Sequence, residues 1–396
     1  MSHTNRIDLV RPDAPELAAF GDFAVGVRTI EVINRDQIDV QRAENGRPVP
    51  RYDRPLTLEV WYPAASSNEH GGTYQTLIRD GKTATVLHGR AVRDAAPEAS
   101  AAPCPVIVIS HGYPGNRYLL SHFGENLASK GYVCVAIDHT DSLYEDQADI
   151  ASTLVNRPLD QRFALDEIER LAASGDSFLS GLADTSRSGL IGYSMGGYGA
   201  IISAGGGIAP DRAADPEACP AGILTMHQAG TAKPDPRFKA IISIAPWGME
   251  KDVWNGEGLA GIRIPVMLMA GSLDEVSGYE RGVKAIYEGA VNADRFLLTF
   301  NQAGHNVAAP YPAPKEAWPP SPHLDFIPFE HYADPVWDTV RMNNIAQHFA
   351  TAFFGKFVNG QNQLAHYLDV SRQGEDGWAG FADNAARGLI MERAKS

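Results

Sequence analysis

Cysteine is scarce in this sequence: Cys104, Cys134 and Cys219 are the only three among 396 residues. So few thiols exclude a small secreted domain stapled by disulfides, and they fit a reducing compartment. Cys134 lies inside an apolar run and is interpreted as a small buried hydrophobic side chain. A disulfide between Cys104 and Cys219 stays open as an alternative.

Long apolar segments and a surplus of positive charge are also absent. No stretch approaches the roughly 18 consecutive apolar residues of a transmembrane helix, and residues 1–8 lack the basic and apolar regions of a secretion signal. Lys and Arg number 34 against 48 Asp and Glu, so the net charge is −14, which disfavours phosphate backbones and anionic lipids. The sequence therefore predicts a cytoplasmic protein without nucleic-acid or membrane partners.

Motifs for metals and for phosphate groups are missing as well. The sequence contains no H-E-x-x-H or C-x-x-C pattern, and His323 and His331 stand without a second ligand pair at metal spacing. The glycines at 205–207 have neither the lysine of a phosphate-binding loop nor the spaced pattern of a dinucleotide site. We therefore expect no metal ion or organic cofactor.

Short apolar runs that alternate with helical patterns make up most of the sequence. Apolar and polar residues alternate over 25–33 and 56–61, which indicates antiparallel, half-exposed strands near the N-terminus. Helical periodicity marks 160–173 and 337–354. Continuous apolar runs predict central strands at 106–109, 132–137, 189–192, 239–244, 265–270 and 296–300. This order predicts an α/β fold with a mostly parallel central sheet and helices on both faces.

Three long stretches do not fit this alternation and are interpreted as loop insertions, near 64–103, 205–236 and 308–335. The last contains eight prolines and begins shortly after His305, so we expect it to cover the candidate site around that histidine as a lid. We predict a single domain over 1–396, with a C-terminal extension over 361–396 to which no role is assigned. Apolar loop residues could also form a subunit contact, so a homo-oligomer stays open.

A G-x-S-x-G motif stands near the middle of the chain. Gly192, Ser194 and Gly196 follow a predicted strand and precede a stretch of small residues that can begin a helix. This is the context of a nucleophile elbow, in which a sharp turn lifts the serine above the sheet at a helix N-terminus. Glycines are needed there because side chains would collide with the neighbouring strand and helix. Ser194 is therefore the predicted nucleophile.

A serine nucleophile needs an imidazole to accept its proton and a carboxylate to orient that imidazole. In α/β-hydrolases the chain order is serine, acid, then histidine, with the acid and the base on turns after later strands. Asp274 and His305 occur in that order, and each follows a predicted strand. Glu275, Asp138 and Asp141 stay open as alternative acids.

Acyl transfer also needs hydrogen-bond donors for the oxyanion that forms on the substrate. The backbone N–H of Met195, directly after the nucleophile, is expected to be one of them. The loop after the strand at 106–109 is expected to supply the second, because Gly112 permits a close backbone approach and the N–H of Tyr113 follows it. The Tyr113 ring is also a candidate contact for the acyl group.

Together these motifs resemble a group of serine hydrolases that includes platelet-activating-factor acetylhydrolases, dienelactone-hydrolase-like esterases and polyester-degrading cutinases. The resemblance covers roughly 25–354 and is carried by residues 111–113, 192–197, 244–247, 271–274 and 303–305. It implies an α/β-hydrolase fold and a site made of the triad Ser194, Asp274 and His305, the oxyanion donors Tyr113 and Met195, and Trp247 as a wall of the acyl site.

Two departures from that group narrow the expected function. Dienelactone hydrolases proper use a cysteine nucleophile, whereas the elbow here carries Ser194. The long insertions favour a covered pocket and a small soluble ester over a polymer surface. The sequence therefore predicts a serine carboxylesterase that cleaves small or short-acyl esters through an acyl-enzyme. A serine peptidase or amidase, and a non-catalytic binding protein with the same fold, are the alternatives.

Overall fold

The structure, a computed structural model, describes residues 4–65, 71–101, 103–231, 234–372 and 378–396. Its strands are β1 (Ala24–Ile38), β2 (Arg51–Ala64), β3 (Thr73–Leu77), β4 (Ala84–His88), β5 (Val92–Arg93), β6 (Cys104–Ser110), β7 (Val133–Asp138), β8 (Ala183–Tyr193), β9 (Phe238–Ile244), β10 (Val266–Gly271), β11 (Arg295–Phe300) and β12 (Leu389–Ala394). Its α-helices are α1 (Ser121–Ala128), α2 (Ile150–Ala173), α3 (Met195–Ser203), α4 (Pro210–Ala213), α5 (Gly256–Leu259), α6 (Lys284–Gly289) and α7 (Thr339–Phe357).

An open ten-stranded sheet has the order β12-β11-β10-β9-β8-β6-β7-β2-β1-β5, and β3 and β4 form a separate hairpin. The block from β7 to β11 is parallel throughout. β2 runs antiparallel to both β1 and β7, and β12 runs antiparallel to β11. The predicted α/β architecture, with antiparallel strands leading into a mostly parallel sheet, is confirmed.

The sheet has a hydrophobic core on each face. Because side chains alternate along a strand, Ile107 and Ile109 of β6 contact one core while Val106 and Val108 contact the other. Helices α1 and α7 pack on the first face, and α2, α3 and α6 pack on the second. The central strands are therefore buried on both sides, which explains their continuous apolar runs.

Helix α2 begins ten residues earlier than the predicted 160–173 and has Pro158 inside it. Asn156 and Arg157 in this added part are buried. Buried polar residues and a proline do not produce the apolar periodicity of an ordinary surface helix. Apolar periodicity in the sequence therefore does not reveal the first half of α2.

The inserted segments differ from the plain loops that the sequence suggested. Segment 64–103 contains β3, β4 and β5, short strands in which polar and apolar residues alternate. The segment over 205–236 includes the short helix α4, and 308–335 has two 3₁₀ turns, Lys315–Ala317 and Pro328–His331. Parts of these predicted regions, at 66–70, 102 and 232–233, lie outside the described residues.

The C-terminal segment 361–396, which the sequence left without a role, supplies an edge strand of the sheet. Strand β12 pairs with β11 over six residues, and Trp378 is 2% exposed and packs against Phe349 of α7. Residues 373–377 lie outside the described part of the chain. The extension is thus part of the folded sheet and covers one edge of it.

All three cysteines are free thiols and buried, so the alternative of a Cys104–Cys219 disulfide is wrong. Burial raises the pKa of Cys104 to about 12 and that of Cys219 to about 11, which makes both poor thiolates. Across the described ranges, no helix combines the length and the apolar character that crossing a bilayer requires. The cytoplasmic location stays a prediction.

Candidate active site

The serine of the G-x-S-x-G motif occupies the turn between β8 and α3. Ser194 has φ 52° and ψ −112°, a conformation that costs energy for any residue other than glycine. Its N–H donates to the carbonyl of Ile244 at 2.9 Å, and its carbonyl accepts from the N–H of Trp247 at 3.2 Å. Backbone hydrogen bonds from β9 and the turn after it therefore hold the strained elbow in place.

The glycines on either side of the serine are required by space. A Cβ on Gly192 would lie 2.2 Å from the carbonyl oxygen of Gly196. A Cβ on Gly196 would lie 2.1 Å from the carbonyl oxygen of Ser110, at the end of β6. Both distances are far below van der Waals contact, so the expected collisions with the helix and the strand are confirmed.

The turns after β10 and β11 bring an acid and a base to this serine. The Nε2 atom of His305 lies 3.0 Å from the Oγ of Ser194, and Nδ1 lies 3.0 Å from each carboxylate oxygen of Asp274. The Asp274 side chain is fully buried and accepts hydrogen bonds from the N–H groups of Val276 at 2.9 Å and Ser277 at 2.8 Å. A carboxylate on Nδ1 requires the proton there, which leaves Nε2 free to accept one from Ser194.

The alternative acids lie elsewhere. Glu275 is exposed, and its side chain points towards Gly304. Asp138 accepts hydrogen bonds from the backbone and the guanidinium of Arg117; burial raises the pKa of Asp138, and Arg117 partly offsets this. Asp141 accepts from Arg54 at 3.0 Å and from Ser152 at 2.7 Å. Among these carboxylates, only Asp274 contacts His305.

Both predicted oxyanion donors border the serine. Met195 is the first residue of α3, so its N–H has no acceptor within the helix. The loop after β6 passes close by, because a Cβ on Gly112 would lie 3.4 Å from the Cβ of Ser194. The ring of Tyr113, the next residue, is held by a hydrogen bond from its hydroxyl to the carbonyl of Ala148. Its contact with an acyl group stays a prediction.

A cavity of about 470 Å³ opens onto Ser194 and His305. Part of its lining comes from the turns at the ends of the strands, and the rest includes Arg79 of the segment 64–103 and Phe326 and His331 of the segment 308–335. No sequence pattern points to Arg79, and only the nearness of the proline-rich segment to His305 points to the other two. That the segment 308–335 moves as a lid stays a prediction.

These inserted side chains are held by contacts with each other and with the loop before α2. The Arg79 guanidinium lies 5.5 Å from the centre of the Phe326 ring, and the hydroxyl of Tyr144 lies 2.8 Å from the Nε2 of His331. Burial lowers the pKa of His331, so its imidazole is neutral at pH 7. In the described ranges, no group of three or more His, Cys, Asp or Glu side chains is placed to hold a metal ion.

Trp247 does not line the cavity that contains Ser194. Its side chain lines a second, apolar cavity of about 260 Å³ together with Leu154, Tyr198 and Val253. The Trp247 ring meets that of Tyr198 edge to face, with 6.4 Å between the ring centres. The backbone of Trp247 supports the elbow, whereas a role for its side chain as a wall of the acyl site stays a prediction.

Known proteins with sequences similar to this chain carry the names of ester hydrolases. The profile of the PET hydrolase-like family matches residues 92–219. Cutinase est1 of Thermobifida alba is 26% identical over 200 residues, 50% of this chain and 52% of the relative. Bis(hydroxyethyl) terephthalate hydrolase of Streptomyces coelicolor is 25% identical over 200 residues, 50% of this chain and 49% of the relative. The chain thus spans about half the length of these curated relatives.

A solved structure extends the likeness to nearly the whole chain. Ferulic acid esterase from Streptomyces cinnamoneus superposes with a TM-score of 0.56 and 21% identity, covering 88% of this chain and 94% of the esterase. At that identity the likeness establishes the fold, and the α/β-hydrolase fold predicted from the sequence is confirmed. The predicted resemblance to the serine hydrolase group that includes the cutinases is confirmed too.

Proposed function

We propose that this chain, an α/β-hydrolase similar to the cutinases, is a serine carboxylic ester hydrolase. The observation that carries the proposal is the continuous chain of contacts from Ser194 through His305 to Asp274, with 3.0 Å at each step. Three groups in that order are what a weak hydroxyl nucleophile needs to act at neutral pH. The names of the relatives, a cutinase and a terephthalate ester hydrolase among them, support the same class of reaction.

In the acylation step, the Oγ of Ser194 attacks the ester carbonyl carbon while the Nε2 of His305 accepts the hydroxyl proton. Asp274 holds Nδ1 and stabilises the imidazolium that forms. The negative charge on the former carbonyl oxygen is stabilised by the N–H groups of Met195 and Tyr113. The tetrahedral intermediate then expels the alkoxide, which takes the proton from His305 and leaves as the alcohol.

Deacylation repeats these steps with water in place of serine. His305 accepts a proton from the water, the resulting hydroxide attacks the acyl-enzyme, and the oxyanion forms again between the same two donors. The new intermediate collapses to a carboxylic acid, and the proton returns to the Oγ of Ser194. No step requires a metal ion, so we expect turnover to be unchanged in EDTA.

The cavity favours a small ester as the substrate. Its volume of about 470 Å³ falls within the range of pockets that bind small molecules. Walls from two inserted segments enclose it beyond the sheet-end turns, which suits a soluble ester with a short acyl group better than a polymer chain. Substrate series in which the acyl group is lengthened at a constant alcohol will measure this limit.

The decisive experiment replaces the nucleophile. Ser194→Ala is expected to lower kcat for p-nitrophenyl acetate by about 10⁴-fold or more, since the covalent step is lost. A fluorophosphonate probe should label the wild-type protein at Ser194 and leave the variant unlabelled. Ser180→Ala, which changes an exposed serine, is the matched control and should behave as wild type. Full activity in Ser194→Ala, or labelling at another residue, would overturn the proposal.

The two alternatives make different predictions in the same assays. A serine peptidase or amidase would cleave the anilide that matches a good ester substrate at a comparable rate, whereas an esterase would prefer the ester by orders of magnitude. A binding protein that only retains the fold would leave both substrates intact and would not react with the phosphonate. The intact contact between Ser194 and His305 favours catalysis over this second alternative.

A further inference from the structure

Arg157 lies in the first half of α2 and points its guanidinium at the loop that carries Tyr113. The side chain is 1% exposed. Its Nη2 donates to the carbonyl of Gly112 at 2.9 Å and to the Oγ of Ser142 at 2.6 Å, and Nη1 donates to the carbonyl of His111. One buried cation therefore holds two consecutive carbonyl groups of this loop.

This arginine forms no ion pair with a carboxylate in the described part of the chain. The carboxylate of Asp160, one turn further along α2, binds other partners instead. It accepts hydrogen bonds from Nε and Nη2 of Arg54, each at 2.9 Å, and lies 2.9 Å from the Nδ1 of His139. Burial lowers the pKa of Arg157, and the charge of Asp160 only partly offsets it. A buried charge without a direct partner is a poor source of stability, so its hydrogen bonds to the loop need another explanation.

The geometry of a peptide group supplies one. The bond between Gly112 and Tyr113 is trans, so the carbonyl of Gly112 and the N–H of Tyr113 point in opposite directions. A guanidinium bound to that carbonyl turns the N–H away from α2. The same charge also polarises the peptide and makes its N–H a stronger donor. Gly112 borders Ser194, so this is the peptide whose orientation matters for the oxyanion.

The same helix supports the other side of the site. Gln161, one turn after Arg157, donates from Nε2 to the carbonyl of Gly196 at 3.0 Å in the first turn of α3. A Cβ on Gly199 of α3 would lie 3.0 Å from the Cβ of Arg157 and 2.6 Å from the Nε2 of Gln161. Helices α2 and α3 are therefore in direct contact, which gives the guanidinium a rigid base.

We propose that Arg157 is a positioning residue of the oxyanion site, acting through the carbonyls of His111 and Gly112 to aim the N–H of Tyr113 at the substrate oxygen. This inference rests on the proposed function, because it concerns a donor that matters only when an oxyanion forms beside Ser194. Arg157 itself does not touch the reacting atoms. Its effect belongs to the transition state, so kcat should change while substrate binding does not.

The first test compares two replacements at this position. Arg157→Gln is expected to lower kcat for p-nitrophenyl acetate by about 30- to 100-fold with KM changed less than about threefold, since complete loss of one oxyanion donor costs about 10²- to 10³-fold and here the donor is only misaligned. Arg157→Lys keeps the charge but cannot hold two carbonyls, so its kcat should lie between Arg157→Gln and wild type. Arg170→Gln, an exposed arginine further along α2, is the control and should leave kcat unchanged.

A second readout separates positioning from a general loss of structure. A thionoester carries sulfur where the oxyanion forms, and sulfur accepts hydrogen bonds weakly. The wild-type preference for the oxoester over the matching thionoester should shrink about tenfold or more in Arg157→Gln. Equal losses on both esters, or a kcat within threefold of wild type, would overturn the inference.

Ser142→Ala keeps the test decisive even where Arg157→Gln does not fold. This change removes the hydroxyl that holds Nη2 and leaves the buried charge in place, so kcat and the oxoester preference should both fall about threefold or more. Unchanged values would count against the role of Arg157. Absence of esterase activity and of Ser194 labelling in the wild-type protein would instead refute the proposed function, which is a separate result.

Discussion

The two halves of the cavity are held in different ways. On one side, Ser194, Asp274 and His305 stand on the turns that directly follow β8, β10 and β11, and backbone hydrogen bonds fix the serine and the carboxylate. On the other side, Arg79 and Phe326 belong to inserted segments and contact each other through side chains. We call these the sheet-end half and the inserted half of the cavity.

We expect the sheet-end half to carry out the reaction and the inserted half to select the substrate. The sheet-end half depends on backbone geometry that is shared by the whole sheet, so its reacting groups have little freedom to shift. The inserted half depends on a few side-chain contacts at the surface of the sheet, where changes in size and charge are tolerated. We therefore expect substitutions in the sheet-end half to change kcat and those in the inserted half to change KM.

The largest effect after loss of the nucleophile should come from Asp274→Asn. An amide cannot stabilise the imidazolium and favours the wrong tautomer of His305, so kcat should fall about 10³- to 10⁴-fold. The adjacent Glu275→Gln serves as the matched control and should cost less than about tenfold. Steady-state kinetics on a p-nitrophenyl ester measure both, and a reversed order of the two would assign the acid to Glu275.

In the inserted half, Phe326→Ala should act on binding. Loss of about 1 kcal/mol of apolar contact would raise KM about fivefold, while kcat stays within twofold of wild type. Trp318→Ala removes a ring of the same segment that is 63% exposed and does not line the cavity, so its KM should not change. A large fall in kcat for Phe326→Ala would contradict the expectation that the inserted half affects KM and not kcat.

A further effect concerns stability and not catalysis, because α1 carries the buried side chain of His122. Burial lowers the pKa of His122 to about 3, against about 6.5 in an unfolded chain. Between these values the unfolded chain binds the extra proton, so the free energy of unfolding falls as pH decreases from about 6.5 towards 3, by up to about 1.4 kcal/mol per pH unit. Above about pH 6.5 this contribution to the free energy of unfolding is fully retained.

Urea denaturation at pH 7 and pH 5 will measure this dependence. His122→Leu removes the titrating group at similar volume, so the variant should lose less stability between the two pH values than wild type does. Other buried histidines with lowered pKa, such as His139 and His348, will keep some acid sensitivity. An identical loss in wild type and variant would show that folding does not lower the pKa of His122.

The chemistry of the sheet-end half could be predicted because it follows local rules. Ser194 was identified by its glycines, and Asp274 and His305 by their places after apolar runs. Parallel strands end at the same edge of a sheet, so residues that follow them are brought close together. The identity of the acid needed more, because Glu275 is adjacent in sequence and only the turn geometry shows which carboxylate faces His305.

The supporting residues could not be predicted. In the sequence, Arg157 is a single charged residue next to Pro158, and charged residues are seldom fully buried. Its local sequence therefore does not mark it as a buried residue. Strand β12 and the hairpin of β3 and β4 are short and half polar, so their patterns do not stand out from loops. For Trp247 the resemblance implies a wall of the acyl site, and only the structure shows that its ring lines a second cavity; its role there stays a prediction.

The order and the type of the reacting groups can be inferred from the amino-acid sequence alone, because strand patterning and the elbow motif depend on neighbouring residues. Their surroundings follow from packing of the whole chain: Arg79 and Phe326 line the same cavity, and Arg157 binds the loop that carries Tyr113. Arg79 and Arg157 are far from all three reacting residues in the chain, Phe326 lies closer to His305, and all of them reach the site only through packing. Contacts of that kind depend on the whole fold, so no local sequence pattern predicts them.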